Sequence, residues 1–183
     1  MKNILVPIDF SETSKFAAKY ALEIAKITNA KIALIHLIEI PKGIIDMGAS
    51  SKFSIPESML YLRKVKEKIL HFKKEVFSEN TKVNYYIKLN TPAKGILKQA
   101  EKMNSDLIVM GYKGHSDFEE LIIGSNTEKV VRSAKQPVIV IKKDFEKFNL
   151  KNIVFASDFT EENKEVFKKF INFANIFNSK IHL

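Results

Sequence analysis

Four short segments, "ILVPI" (4–8), "KIALIHLI" (31–38), "DLIVM" (106–110) and "PVIVI" (137–141), are apolar at nearly every position. A strand with one wet face alternates apolar and polar residues, so near-unbroken apolar runs call for cover on both faces. Between these runs lie stretches of helical periodicity. Phe16, Tyr20, Ile24 and Ile27 form one stripe, and Leu62, Val65, Ile69, Phe72 and Val76 another. "PAKGILKQAEKM" (92–103) and "TEKVVRSA" (127–134) read as two more helices, and "KVNYYIKL" (82–89) as a further strand. The order β-α-β-α-β-α-β-α-β predicts a doubly wound α/β fold, a parallel sheet with helices on both faces. In such sheets ligands bind at the carboxyl ends of the strands, where the strand order reverses. Asp9, Leu37 and the loop after Met110 all fall at such ends.

Composition narrows the function classes. A chain of 183 residues can bury one good core with some chain left over. No run approaches the roughly 20 apolar residues of a membrane helix, and "MKNILVPIDF" reads as a first strand rather than a signal peptide. No membrane partner and a cytoplasmic location are therefore expected. The absence of cysteine excludes disulfides, thiolate catalysis and cysteine-ligated zinc. A formal charge of +9 raises nucleic acid as a partner. The basic residues are dispersed, however, and the densest run (61–77) interleaves Lys and Glu around an apolar stripe. That is a solvated helix face, so nucleic acid is not the expected partner. The segment 41–56, with two glycines, two prolines and three serines, reads as a mobile loop.

The chain also repeats itself. Residues 1–34 align without a gap on 150–183, with Lys2/Lys151, Asn3/Asn152, Ile4/Ile153, Asp9/Asp158, Phe10/Phe159, Glu12/Glu161 and Lys31/Lys180 identical. The expected organisation is a complete domain over 1–143, a linker over 144–149, and the first β-α unit of a second, incomplete copy over 150–183. A unit of this size cannot build its own core, so it is expected to pack against the first domain or another chain.

The stretch "MGYKGHSDFEELIIGSNT" (110–127) holds three of the six glycines, between an apolar strand and a helix. A helix start offers unpaired N–H groups and a partial positive charge, and glycine lets backbone approach a phosphate. Gly111 and Gly114 can take positive φ and Gly124 clears space in front of the helix, with Ser125, Asn126 and Thr127 as polar donors. Lys113 would reach an outer phosphate, and "HSDFEELII" (115–123) would cover the ligand. The alternative is a plain glycine turn with Ser125 as the helix N-cap. Asp9 likewise has two readings, a helix cap completed by Glu12 or a hydrogen-bond acceptor for a ribose or base edge.

Together, "ILVPIDFSE", "LIHLIE" and the G-x-x-G-x9-G-S pattern followed by "TEKVVRSAKQPVIVIK" resemble the universal stress protein family, in its ATP-binding branch. The resemblance covers 1–143 and begins again over 150–183. It implies a five-stranded parallel sheet in order 3-2-1-4-5, Rossmann-like, holding ATP, ADP or AMP, with Mg2+ accompanying the nucleotide. Its nucleotide-binding positions correspond here to Pro7, Ile8, Asp9, Leu37, Met110, Gly111, Gly114, Gly124, Ser125, Asn126 and Thr127. Asp9 would meet the ribose or adenine region, and Leu37 would offer backbone groups to adenine. Members also pair through their last strand, here 137–142, which implies a homodimer made by that strand or by 150–183. Tyr112–Lys113 and Asn126 depart from the commoner residues of the family without altering the glycine spacing.

No P-loop motif and no nucleophile elbow occurs, and the four histidines lack metal spacing. His36 reads as a structural residue at the end of a buried strand. Glu119 and Glu120, adjacent in sequence, point different ways on a helix and do not make a carboxylate pair. With no catalytic set legible, the expected function is that of a regulatory module whose nucleotide state tunes dimerisation or partner binding. A slow Mg2+-dependent ATPase or phosphotransferase, and a nucleotide-free interaction module, are the alternatives.

Overall fold

The computed structural model describes residues 1–39, 55–79, 81–113, 123–158, 160–161 and 163–183, without side chains at 55–58. The elements run β1 (Asn3–Pro7), α1 (Glu12–Thr28), β2 (Lys31–Ile38), α2 (Ile55–Val76), β3 (Val83–Leu89), α3 (Pro92–Lys102), β4 (Leu107–Gly111), α4 (Ser125–Ser133) and β5 (Val138–Ile141). Then follow β6 (Asn152–Val154), α5 (Asn163–Ile176) and β7 (Lys180–His182). The chain divides into two compact units, Met1–Asp144 and Phe145–Leu183. No helix among the described residues is long and apolar enough to cross a membrane.

The first unit is a five-stranded sheet in the order β3-β2-β1-β4-β5, parallel throughout, as the apolar runs require. Ile4, Leu5, Val6, Leu34, Leu107, Ile108 and Val109 are fully buried because both faces are covered. One face meets α1 and α2. There Ala17, Ala18 and Ala21 let α1 lie close to the strands, while Ile24, Ile69 and Phe72 fill the remaining depth. On the other face Leu5, Ala33, Ile35, Ile108 and Met110 form a core with Ile96 and Ala100 of α3 and Val130 of α4. The strand order reverses beside β1, whose neighbours are β2 and β4.

Most of the expected loop 41–56 lies outside the described residues, but Ile55 and Pro56 already belong to α2. A proline is tolerated there because the first turn of a helix has no use for its missing N–H. Three of the helices are followed by a left-handed asparagine rather than glycine. Asn29, Asn104 and Asn178 adopt φ of 54°, 48° and 51° just after α1, α3 and α5. Asparagine is the non-glycine residue that best tolerates this left-handed geometry.

The second unit repeats the opening of the first in detail. Asn3, Ile4 and Leu5 pair with Lys31, Ile32 and Ala33, and Asn152, Ile153 and Val154 pair with Lys180, Ile181 and His182 in the same register. Packing differs between the two. Where α1 carries Ala18 and Ala21, α5 carries Phe167 and Phe170, whose rings lie 4.9 and 4.8 Å from Phe155. Phe148, N-terminal to β6, sits 6.1 Å from Phe177. Aromatic bulk thus replaces part of the core that three further strands supply in the first unit. Val154 is 72% exposed, whereas its counterpart Leu5 is fully buried.

Candidate functional site

At the carboxyl ends of β1, β2 and β4 the first unit opens into a cleft of about 390 Å3. Pro7, Ile8, Asp9 and Leu37 form one side of it; Met110, Gly111, Gly124, Ser125, Asn126 and Thr127 form the other. These are the residues nominated from sequence, apart from Gly114, which lies outside the described residues with most of the segment 115–123. Lys113 joins the same lining.

Asp9 leaves β1 at a turn. Its Oδ1 accepts hydrogen bonds from the Ser11 N–H at 3.0 Å and from the Ser11 hydroxyl. Ser11, not Asp9, is the N-cap of α1, and its Oγ accepts from the Ser14 N–H at 3.3 Å. The capping box with Glu12 does not form, since Ser14 occupies the N3 position and its hydroxyl donates to the Ser11 carbonyl at 2.8 Å. Asp9 is thereby held one step outside the helix, with its carboxylate on the cleft wall.

Gly111 serves a different purpose from a left-handed turn. No described glycine has positive φ, so Gly111 is not chosen for a left-handed turn. A Cβ at Gly111 would lie 2.8 Å from Thr13 Oγ1 and 2.9 Å from the Thr13 carbonyl carbon. The first turn of α1 crosses the end of β4 at backbone distance, which only glycine permits. Gly124 has more room, the nearest atom to its Cβ position being the Tyr112 carbonyl oxygen at 3.3 Å.

Gly124 is also the N-cap of α4, with its carbonyl accepting from the Glu128 N–H at 2.9 Å. Ser125 is therefore the first helical residue rather than the cap. The N–H groups of the first turn have no partner within the helix. The Ser125 and Asn126 side chains form no hydrogen bond among the described residues. Thr127 is more committed. It is buried, and its hydroxyl donates to the Gly111 carbonyl at 3.0 Å, tying the start of α4 to the end of β4.

Ser14, Ile35, His36 and Ile96 also line the cleft and were not nominated from sequence. Ile35 and Ile96 read as core residues, and only the sheet topology places them at the cleft floor. His36 is more than a strand-end filler. Its Nδ1 lies 2.9 Å from the Ile8 carbonyl, which only accepts, so Nδ1 carries the proton. Its ring lies 4.6 Å from that of Phe10. Among the described residues, no group of three His, Cys, Asp or Glu side chains is placed to hold a metal ion.

Residues 1–142 match the model of the universal stress protein family. The chain belongs to that family. It is 32% identical over 142 residues to Universal stress protein MJ0531 of Methanocaldococcus jannaschii, covering 78% of this chain and 82% of the relative. It is also similar to the solved structure of the hypothetical protein MJ0577, with a TM-score of 0.65 and 31% identity. That match covers 76% of this chain and 94% of the other; a sequence match gives MJ0577 as a universal stress protein of the same organism. A universal stress protein from Archaeoglobus fulgidus, solved in complex with dAMP, shares the fold at 17% identity, with a TM-score of 0.52 over 77% of this chain and 98% of that one. As a universal stress protein, the chain has its described cleft at the strand ends where the sheet reverses, as the topology rule anticipates.

Proposed function

We propose that this universal stress protein binds an adenine nucleotide, ATP, ADP or AMP, in the cleft at the ends of β1, β2 and β4. The observation that carries the reading is the convergence of Asp9 with Ser125 and Asn126 on one cleft beside the start of α4. The phosphates would lie against the first turn of α4, where free N–H groups and the helix dipole favour negative charge. Asp9, a fixed acceptor, suits ribose hydroxyls, and the apolar wall of Ile35, Leu37, Ile96 and Met110 suits a purine ring. The cleft volume lies within the range of about 300–1,000 Å3 usual for small-molecule sites. Mg2+ would accompany the phosphates rather than occupy a protein cage, in keeping with its preference for phosphate and water oxygens. A universal stress fold holding dAMP in a distant relative is consistent with this class of ligand.

The module is read as regulatory and cytoplasmic, with nucleotide occupancy tuning self-association or partner binding. Two features support pairing between chains. The edge strand β5 is bonded on one side only within its sheet, and its Val138, Ile139 and Val140 are half-buried. In the second unit, read as the opening of a further universal stress domain, Val154, Val166 and Leu183 are exposed.

Calorimetric titration with ATP, ADP and AMP, with and without Mg2+, tests the reading, together with mass spectrometry of any ligand released from the purified protein. Binding that weakens on Asp9→Ala and Ser125→Ala supports it. Absence of binding by all three nucleotides, or equal affinity in the variants, overturns it.

A further inference from the structure

The carboxyl edge of the sheet carries a second cleft, on the α1 and α2 side, of about 680 Å3. Phe10, His36, Tyr61, Val65 and Phe72 give it an aromatic and apolar wall, of which Val65 and Phe72 are buried in the core. Asp9 and His36 line this cleft and the first one alike, so a single turn of chain divides them. That turn is strained. Phe10 holds φ at 68°, a region disfavoured for a bulky side chain. Its ring lies 4.6 Å from His36 and 6.3 Å from Phe72.

The charges around the wall are unevenly matched. Glu75 faces Lys15 at 3.3 Å and His71 at 3.4 Å, and Lys15 also meets Glu12 at 2.9 Å. Glu67, the acid nearest in sequence to the remaining lysines, is turned to Arg63 at 3.1 Å. Lys64 and Lys68 are left with no ion pair among the described residues, one helical turn apart, both lining the cleft. Like charges at this spacing repel. Lys68 Nζ lies 5.9 Å from the centre of the Phe10 ring, so its charge is held over the aromatic wall rather than away from it.

We propose that this second cleft binds an organic anion with a flat apolar body and one charged head, such as an aromatic carboxylate, sulfonate or phosphate. The head would sit between Lys64 and Lys68 and relieve their repulsion. The body would lie on Phe10, Tyr61 and Phe72, surfaces that offer nothing to a small hydrated inorganic anion. Asp9, at the boundary with the first cleft, opposes a second negative charge on the inner end. The site shares only Asp9 and His36 with the proposed nucleotide cleft; Lys64 and Lys68, which would hold the head, line this cleft alone.

Anilinonaphthalene sulfonate has this chemistry and serves as the probe, titrated by fluorescence into the folded 183-residue chain. Paired substitution Lys64→Glu with Lys68→Glu is compared with Lys66→Glu with Lys74→Glu, exposed lysines of the same helix outside the cleft. The two variants change net charge equally. The expected result is saturable binding, weakened at least about tenfold by the first pair and changed less than about twofold by the second. No saturable binding, no loss in the first pair, or equal loss in both overturns the proposal.

Discussion

Thr13, in the first turn of α1, occupies the space that a side chain at Gly111 would need, and its hydroxyl donates to the Lys113 carbonyl. This contact joins the start of α1 to the strand exit that forms one wall of the cleft. Gly111→Ala is therefore expected to destabilise the protein by about 1–3 kcal/mol, the cost of overpacking a tight contact. Thr13→Ala in that background should recover only part of the loss, because the Thr13 backbone at 2.9 Å remains in the way. Urea denaturation of the four proteins in the cycle measures both. Gly124→Ala, with its nearest neighbour at 3.3 Å, should cost less than Gly111→Ala in the same experiment.

Asp9 holds Ser11 through one oxygen and faces the cleft. Asp9→Asn keeps an acceptor oxygen for Ser11, so stability should stay within about 0.5 kcal/mol of the parent, whereas Asp9→Ala should lose about 1 kcal/mol. Both should weaken nucleotide binding. Parallel urea melts and calorimetry separate the two roles, and equal stability of the two variants would refute the structural one.

Ser125 and Asn126 stand at the start of α4 without structural commitments among the described residues. Ser125→Ala and Asn126→Ala are expected to leave the melting temperature nearly unchanged. Each should weaken ATP binding by roughly three- to tenfold, the worth of one hydrogen bond. Thr127→Val should differ, losing stability as well, because it breaks the bond from Thr127 to the Gly111 carbonyl.

Asp106 links the chain start to β4 by accepting from the Lys2 and Asn3 N–H groups at 2.6 and 2.9 Å. Partial burial pushes its carboxyl up. These two hydrogen bonds, with the charges of the amino terminus and Lys2, outweigh burial and hold it below the usual carboxylate value. A depressed folded value stabilises the fold fully above the unfolded value of about 3.9. That contribution is lost as pH falls from there through the folded value. Asp106→Asn should flatten this acid-side slope in denaturation measured from pH 6 downward to about pH 2, after comparison with the parent. An unchanged slope would remove Asp106 as its source.

The first compact unit ends at Asp144. A chain ending at Asp144 keeps the Lys19–Asp144 ion pair at 2.8 Å and should fold. It should also bind nucleotide within about twofold of the full chain. If the exposed apolar surface of the second unit mediates pairing between chains, the shortened protein should lose self-association in sedimentation. Retained association would assign pairing to β5 instead.

Near-unbroken apolar runs separated by helical stripes have few ways to cover both faces, so the doubly wound sheet was legible before any coordinates. The same logic placed Asp9 and the glycine-rich loop at strand ends. The repeat was legible too, because Lys2, Asn3 and Ile4 recur in register with Lys151, Asn152 and Ile153. What Gly111 does was not legible. Sequence spacing suggested a left-handed turn at Gly111, but the steric demand comes from Thr13, nearly a hundred residues away in the chain. The cap of α1 fell to Ser11 rather than Asp9 because the turn at Phe10 moves the aspartate out of capping range. His36 gave no signal beyond ending a buried strand. Its place between two clefts depends on β1 and β2 lying side by side, with the Ile8 carbonyl orienting its ring. Local pattern decided which elements form and which ends carry polar groups. Close approach between distant segments, a property of packing alone, decided why each residue there must be what it is.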